Sequence, residues 1–228
     1  MIGTLYIVAT PIGNLEDITL RAIRILKEAD IILAEDTRVT KKLTSSLNDK
    51  WPMINAKLIS YHQHSDEAKK NEILLALLSG KNIALVSDAG TPGISDPGNE
   101  LIDFLLEKEP NIKIIPIPGP AAITTALSAS GFKANKFVFI GFLPKKKRTK
   151  LFKWLADGEI SFAFYESPNR ILKTLDVLAE YFGQDRRVFV ARELTKFYET
   201  RYRGKLLEVR AQLEKEKVRG EMVVVVEG

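Results

Sequence analysis

Cysteine is absent from this 228-residue chain, which excludes disulfide bridges and thiolate-bound metal sites. That absence fits a protein of a reducing compartment. No apolar run approaches the roughly 20 residues that a membrane-spanning helix requires, and no charged and then apolar leader precedes the first predicted strand. We therefore expect a cytoplasmic protein that does not use a membrane.

Three common catalytic signatures are also missing. There is no glycine-rich loop ending in Lys-Ser or Lys-Thr, no G-x-G-x-x-G after the first strand and no G-x-S-x-G. These absences argue against a P-loop enzyme, a dinucleotide-binding enzyme and an α/β-hydrolase. The two histidines, His62 and His64, could bind a metal from an extended segment, but a solvated loop explains them as well. Because no third ligand is evident, we predict no metal site.

The chain does contain a large fraction of apolar residues and a modest excess of positive charge. Apolar residues make up 45% of the sequence, which is ample for a packed core. The net charge of +5 and the pI of about 9.2 favour an anionic partner, although many basic proteins bind no nucleic acid.

The stretch from Leu85 to Gly98 organises the chain. An apolar run over 83–86 predicts a strand that is buried on both faces, and the spacing of leucines over 99–106 predicts a helix. The loop between them is rich in glycine, proline and aspartate, as expected where backbone groups approach a ligand at the carboxyl end of a central strand. A long turn rich in breakers is the alternative, but most loops of this type are shorter.

Strands and helices alternate through the first half of the chain, which predicts an α/β domain with a mostly parallel sheet over residues 1–118. Asp17 is the predicted cap of the first helix. In a parallel sheet the loops that follow the strands open at one edge, so five loops should meet there: Thr10–Asp17, Glu35–Arg38, His62–His64, Asp88–Gly98 and Pro118–Pro120.

The second half, residues 119–228, predicts another α/β domain with a mixed sheet, and we expect a cleft between the two domains. Alternating phenylalanines on its strands are predicted to lie in the core: Phe137, Phe139, Phe162 and Phe164. Four charged residues near strand ends either line the cleft or pair internally: Glu166, Arg170, Arg192 and Glu193.

Eight segments carry specific motifs in order along nearly the whole chain: Leu5–Thr19, Ala34–Arg38, Ser60–His62, Ser87–Gly98, Pro118–Pro120, Gly141–Pro144, Phe164–Pro168 and Ala191–Lys196. Together they resemble the small-subunit ribosomal RNA methyltransferases, a family of the tetrapyrrole (corrin/porphyrin) methylase superfamily. Two positions depart from that pattern. Asn169 stands where the resemblance leads us to expect histidine, and Ala121-Ala122 replaces a Ser-Ala pair.

The resemblance implies two α/β domains that hold S-adenosylmethionine in the cleft between them. It also implies methylation of the ribose 2′-hydroxyl of a cytidine in the decoding centre of 16S rRNA, by a homodimer that acts on the small ribosomal subunit. By position, it implies these cofactor contacts: Pro11, Asp88, Ala89, Gly90, Ile94, Ser95, Ala122, Ile123 and Tyr165.

Two charged residues of the second loop are candidates for the chemistry. A ribose hydroxyl is a weak nucleophile near neutral pH, so a base or a nearby cation should help it to lose its proton. Glu35 is the candidate base or orienting group, and Arg38 is the candidate contact to a phosphate or hydroxyl. The alternative is that Glu35 and Arg38 simply form ion pairs across the cleft between the domains.

Two other functions remain open from the sequence. One is a methylase of the same superfamily that acts on a small tetrapyrrole, and the other is an RNA-binding protein without catalytic activity. Cofactor titration separates the last from the other two, and comparison of ribosomal subunits with porphyrin-like substrates separates the first two.

A basic run follows the Gly141–Pro144 segment: Lys145, Lys146, Lys147, Arg148 and Lys150. We interpret it as a contact to rRNA phosphates, whereas a solvated helix face is the alternative.

Reversing two charges of this run tests that interpretation. The double variant Lys146→Glu, Lys147→Glu is expected to weaken RNA binding in a salt-dependent manner and to spare cofactor binding, because only phosphate contacts are lost. Filter binding at several salt concentrations measures the effect, with cofactor titration as the control. Unchanged RNA affinity would assign the run to a solvated helix face.

Overall fold

Strands and helices alternate along most of the chain in the computed structural model, which describes residues 1–50, 54–144, 148–216 and 219–228. The chain forms two units, Met1–Ala121 and Ala122–Gly228. Within the described residues, no helix has both the length and the apolar character that crossing a bilayer requires.

The described part of the first unit contains five strands and four α-helices, and the strand and helix predicted around the Leu85–Gly98 stretch are both present. The strands are β1 (Thr4–Val8), β2 (Ile31–Ala34), β3 (Lys57–Ser60), β4 (Ile83–Val86) and β5 (Lys113–Ile117). The helices are α1 (Leu20–Glu28), α2 (Thr37–Lys50), α3 (Glu67–Leu78) and α4 (Asn99–Lys108).

All five strands are parallel, in the order β3-β2-β4-β1-β5, which confirms the predicted parallel sheet. Every residue of β2 and β4 is buried, as expected of strands covered on both faces. One apolar cluster includes Ile32 and Ala84, and a second includes Leu33 and Leu85. Because successive side chains of a strand point to opposite faces, the two clusters lie on the two faces of the sheet.

The start of α1 differs from the prediction. Asp17 ends a single 3₁₀ turn, Leu15–Asp17, and Ile18 is extended, so Asp17 cannot cap the helix. Thr19 is the cap instead, because its hydroxyl oxygen accepts a hydrogen bond from the Ala22 amide at 3.0 Å.

The second unit begins with α5 (Ala122–Ser130) and has a mixed sheet. Its strands are β6 (Phe137–Phe142), β7 (Ser161–Glu166), β8 (Arg187–Arg192), β9 (Thr200–Lys205) and β10 (Met222–Val226). Its other helices are α6 (Thr149–Asp157), α7 (Ile171–Phe182) and α8 (Leu206–Glu214).

The strand order of this sheet is β6-β7-β10-β8-β9, with β6 and β7 parallel and β10 antiparallel to both of its neighbours. The central strand β10 is buried over its whole length. Since β10 runs against both β7 and β8, these two strands point the same way. The carboxyl ends of β6, β7 and β8 therefore share one edge of the sheet.

The predicted phenylalanine core is correct for two of the four residues. Phe162 and Phe164 are fully buried in the main apolar cluster of this unit. Phe137 is 38% exposed, so its assignment to the core was wrong. Phe137 and Phe139 pair with Ser161 and Ala163, which alternate with Phe162 and Phe164 along β7. Phe137 and Phe139 therefore lie on the face of the sheet opposite to Phe162 and Phe164. They also lie on an edge strand, which has a neighbour on one side only.

The new assignment of the α1 cap has a measurable consequence. Thr19→Ala is expected to lower the free energy of unfolding by about 1 kcal/mol, because the Ala22 amide loses its acceptor. Asp17→Ala, at an exposed position outside the helix, is expected to change it by less than about 0.5 kcal/mol. Urea unfolding compares the two variants, and a larger loss for Asp17→Ala would restore the original assignment.

Candidate functional site

The loops after β1 and β4 are joined by a pair of backbone hydrogen bonds. The Thr10 amide donates to the Gly90 carbonyl at 2.9 Å, and the Gly90 amide donates to the Thr10 carbonyl at 3.1 Å. The buried Thr10 hydroxyl donates to the Ser87 carbonyl at 3.2 Å. The first and fourth predicted loops therefore meet at the carboxyl edge of the first sheet.

The loop after β5 joins them at close range. The Thr91 hydroxyl donates to the Pro120 carbonyl at 3.1 Å. Gly90 has a φ of +85°, and a Cβ there would lie 3.3 Å from a side-chain carbon of Ile12. A Cβ on Gly119 would come within 2.9 Å of the Ala9 Cβ. Both glycines are thus required by the close approach of three loops.

The loop after β2 is tied to the same edge. Asp88 accepts a hydrogen bond from the Asp36 amide at 3.0 Å. The third predicted loop, His62–His64, follows the edge strand β3 of this sheet, and the centroids of its two imidazole rings lie 6.1 Å apart. Among the described residues, no group of three or more histidine, aspartate or glutamate side chains is arranged to hold a metal ion.

Burial and neighbouring negative charges act on the Glu35 and Asp96 carboxyl groups at this edge. Burial raises the pKa of Glu35, and the negative charges of Asp96, Asp88 and Asp36 raise it further. Burial also raises the pKa of Asp96, as does Asp88, while a hydrogen bond with Ser87 acts in the opposite direction. Glu35, Asp88 and Asp96 thus form an electronegative group, which we call the carboxylate cluster.

Asp96 was not singled out as a site residue by the sequence. The only signal was its position in the Leu85–Gly98 stretch. Its separation of eight residues from Asp88 does not reveal that the charge of Asp88 raises the pKa of Asp96.

Arg38 pairs with Asp36 and not with Glu35. Its Nη2 lies 2.7 Å from an Asp36 carboxylate oxygen, and its Nε lies 3.0 Å from the other. These hydrogen bonds lower the pKa of Asp36 to about 2. The Arg38 side chain is nevertheless 87% exposed, so it is held in place by Asp36 while it faces solvent.

The sequence-predicted cofactor residues of the first unit all lie on the joined loops. Pro11 is half-buried, and Gly90 is buried beneath the surface. The others are exposed: Asp88, Ala89, Ile94 and Ser95. Their accessible backbone and the carboxylate cluster fit a ligand that carries positive charge and hydrogen-bonding groups. The chemistry of S-adenosylmethionine, a sulfonium cation with an adenosine and an amino-acid group, matches these residues.

The remaining candidates lie in the second unit. Ala122 and Ile123 begin α5. Tyr165 is half-buried near the end of β7, and its ring contacts those of Phe139 and Phe142 at centroid distances of 5.1 and 5.5 Å.

The basic run is only partly described. Lys145, Lys146 and Lys147 lie outside the described residues. Arg148 precedes α6 and lies over the Phe152 ring at 5.9 Å, and Lys150 is exposed in the first turn of that helix.

All four charged residues near strand ends are used internally. Arg192 donates to the Thr200 hydroxyl at 2.8 Å, and Glu193 pairs with Lys196 at 3.0 Å. Glu166 is buried and accepts hydrogen bonds from the Ser167 amide at 2.8 Å and the Thr174 hydroxyl at 2.7 Å. Arg170 lies 3.3 Å from Glu166 and donates to the Leu143 carbonyl at 2.8 Å. This network fixes the ends of β6 and β7 relative to each other.

Comparison with known proteins shows the family to which the chain belongs. The family model of the Tetrapyrrole (Corrin/Porphyrin) Methylases matches residues 4–210. The chain is 49% identical to a protein of Halalkalibacterium halodurans, and the alignment covers 99% of this chain and 76% of that relative. It is 46% identical to a protein of Thermotoga maritima, with 99% of both chains covered. Both relatives are named ribosomal RNA small subunit methyltransferase I.

Solved structures of other methylases share the fold at much lower identity. A cobalt precorrin-4 methyltransferase matches with a TM-score of 0.74 at 17% identity, covering 98% of this chain and 94% of its own. A uroporphyrin-III C-methyltransferase from Thermus thermophilus, complexed with S-adenyl homocysteine, matches with a TM-score of 0.66 at 20% identity, covering 99% and 97%. The chain belongs to the tetrapyrrole methylase family, and within it to the ribosomal RNA small subunit methyltransferase I group.

Proposed function

We propose that the chain transfers a methyl group from S-adenosylmethionine to the ribose 2′-hydroxyl of a cytidine in the decoding centre of 16S rRNA. The observation that carries the proposal is the shared name of relatives that are 44–49% identical over 99% of this chain. The proposal includes the homodimer that the sequence resemblance implies and the cytoplasmic location expected from the sequence.

The joined loops of the first unit support the choice of cofactor. Their accessible backbone groups provide donors and acceptors, and the carboxylate cluster favours a cation. When bound, S-adenosylmethionine supplies an activated methyl group with its own leaving group. The protein then has to align the hydroxyl with that methyl and exclude water, which accounts for much of the rate in such reactions.

Glu35 is the proposed base or orienting group for the ribose hydroxyl. It is half-buried at the end of β2, and its pKa is raised by burial and by neighbouring negative charges. A raised pKa makes the carboxylate a better proton acceptor. Glu35 is therefore suited to accept the hydroxyl proton as the oxygen–methyl bond forms.

Arg38 is the proposed contact to the RNA backbone. Asp36 holds the guanidinium through two charged hydrogen bonds but leaves it largely exposed. An arginine fixed in this way retains donors for a phosphate and loses little conformational freedom on binding. We expect Arg38 to orient the ribose next to Glu35.

The activity itself is tested by mass spectrometry of 16S rRNA fragments. Incubation of the protein with labelled S-adenosylmethionine and undermethylated small subunits is expected to add one methyl group to the ribose of a cytidine in the decoding centre. Porphyrin-like substrates are expected to remain unlabelled. Label on a tetrapyrrole would support the small-molecule function. If the protein binds no cofactor and no substrate becomes labelled, the result would support an RNA-binding protein without activity.

The role of Glu35 is tested by Glu35→Gln at saturating cofactor. The variant is expected to lower kcat by about 10²–10⁴-fold, the usual contribution of a general base. For the unmodified protein, kcat should fall on acidification through the raised pKa of Glu35, above the ordinary value of 4.5, because protonation removes the base. The variant should lose this acid limb.

Glu72→Gln serves as the matched control, because Glu72 is an exposed carboxylate on α3 that pairs with Lys69. It is expected to retain both the rate and the pH profile. An undiminished rate in Glu35→Gln with intact cofactor binding would remove Glu35 from the chemistry.

A further inference from the structure

The loop that joins β8 to β9 displays two aromatic rings to solvent. Phe197 is 94% exposed and Tyr198 is 72% exposed, which makes them the most exposed aromatic side chains in the part of the chain that the structure describes. Their ring centroids lie 5.0 Å apart, and the ring planes are nearly perpendicular, at 87°. We call these two residues the aromatic pair. Its rings contribute little to the core of the protein.

The loop that carries the aromatic pair is held by a network of charged hydrogen bonds. Lys196 Nζ lies 3.0 Å from a carboxylate oxygen of Glu193 and 2.9 Å from one of Glu221. The Thr195 amide donates to the Glu199 carboxylate at 2.7 Å. Backbone hydrogen bonds from Lys196 to Glu193 and from Glu199 to Lys196, both 3.0 Å, close the turn. The aromatic pair is thus presented by an ordered segment.

The same segment contains two strained residues. Glu193 and Thr195 have φ values of +52° and +65°, a region that side-chain-bearing residues rarely adopt and a β-branched residue almost never. A Cβ on Gly220 would come within 2.3 Å of the Glu193 carboxyl carbon, so the neighbouring turn is also adapted to this arrangement. Such strain persists where the surrounding structure enforces it, and it accumulates at binding sites.

The position of the loop relates it to the proposed function. It follows the carboxyl end of β8, the edge of the second sheet at which β6 and β7 also end. Tyr165 lies near the end of β7 on this edge, and Arg148 precedes the helix that follows β6. The aromatic pair is therefore on the same side of this unit as residues predicted to contact cofactor and RNA.

The surroundings of the aromatic pair favour a nucleobase over a protein partner. The adjoining residues are charged, and their charges are nearly balanced, since Lys196 is shared by two carboxylates and Arg201 lies 3.2 Å from Glu199. Two rings among charged side chains are far smaller than the apolar core of a stable protein interface. They match the size of unstacked bases, which bind to aromatic rings whatever their sequence.

We propose that Phe197 and Tyr198 form a stacking platform for unpaired bases of the substrate RNA. The proposal rests on the proposed function for the presence of an RNA substrate. Because the two rings are perpendicular, they cannot both lie parallel to one base, so each ring contacts a different base. The platform adds base contacts to the phosphate contacts expected from Arg38 and the basic run.

Alanine and aromatic replacements separate stacking from other effects. Phe197→Ala and Tyr198→Ala are each expected to weaken binding of a single-stranded RNA oligonucleotide by about tenfold, the loss of one stacked base. Phe197→Trp and Tyr198→Phe keep an aromatic ring and are expected to retain the affinity of the unmodified protein for the oligonucleotide. Leu75→Ala is the control, because Leu75 is a 66% exposed apolar residue on α3 of the first unit.

Three further readouts distinguish the platform from a structural role. The fluorescence of 2-aminopurine in the oligonucleotide should be quenched by the unmodified protein and not by the double alanine variant. The salt dependence of binding should keep its slope, because no phosphate contact is lost. With undermethylated small subunits, KM should rise while kcat and cofactor affinity stay unchanged.

Undiminished RNA affinity and quenching in the double alanine variant would overturn the platform, while methylation by the unmodified protein would leave the proposed function intact. A change in solution mass of the variant with unaltered RNA affinity would assign the aromatic pair to a contact between protein copies and would also overturn the proposal. Failure of the unmodified protein to bind RNA at all would count against the proposed function itself.

Discussion

The pair of backbone hydrogen bonds between Thr10 and Gly90 is the constraint on which the first unit's site depends. It joins the loops of two neighbouring parallel strands, and it requires the left-handed conformation of Gly90. With these loops joined, Asp88 is placed to hold the loop after β2 through the Asp36 amide. Accessible backbone and three interacting carboxylates are thereby brought to one edge of the sheet.

Charged residues have different roles in the two units. In the first, Glu35 and Asp96 have raised pKa values because burial and neighbouring negative charges, Asp88 among them, disfavour their charged forms. Such groups are costly unless a cation or a proton transfer makes use of them. In the second, charged residues mainly support structure: Glu166 and Arg170 connect strand ends, and Lys196 stabilises a strained turn. That support allows the β8–β9 loop to display its aromatic pair.

Much of this arrangement follows from the sequence, for clear physical reasons. Continuous apolar runs such as Ile83–Val86 specify buried parallel strands, and parallel strands bring their loops to one edge. The sequence could not reveal that the charge of Asp88 acts on Asp96, because the conformation of the loop decides that interaction. Nor could it place Phe137 on an edge strand, because that depends on the order of strands distant in sequence. The choice of Thr19 over Asp17 as the helix cap is local, since it depends on the 3₁₀ turn Leu15–Asp17 and the extended Ile18 that precede the helix.

The central claim is that the joined loops of the first unit hold the methyl donor through backbone groups beside the carboxylate cluster. A crystal structure of the chain with S-adenosylhomocysteine, the demethylated product, tests this claim most directly. The account predicts contacts from the ligand to main-chain atoms within Asp88–Ser95. A ligand bound elsewhere, with no contact to that loop, would contradict it.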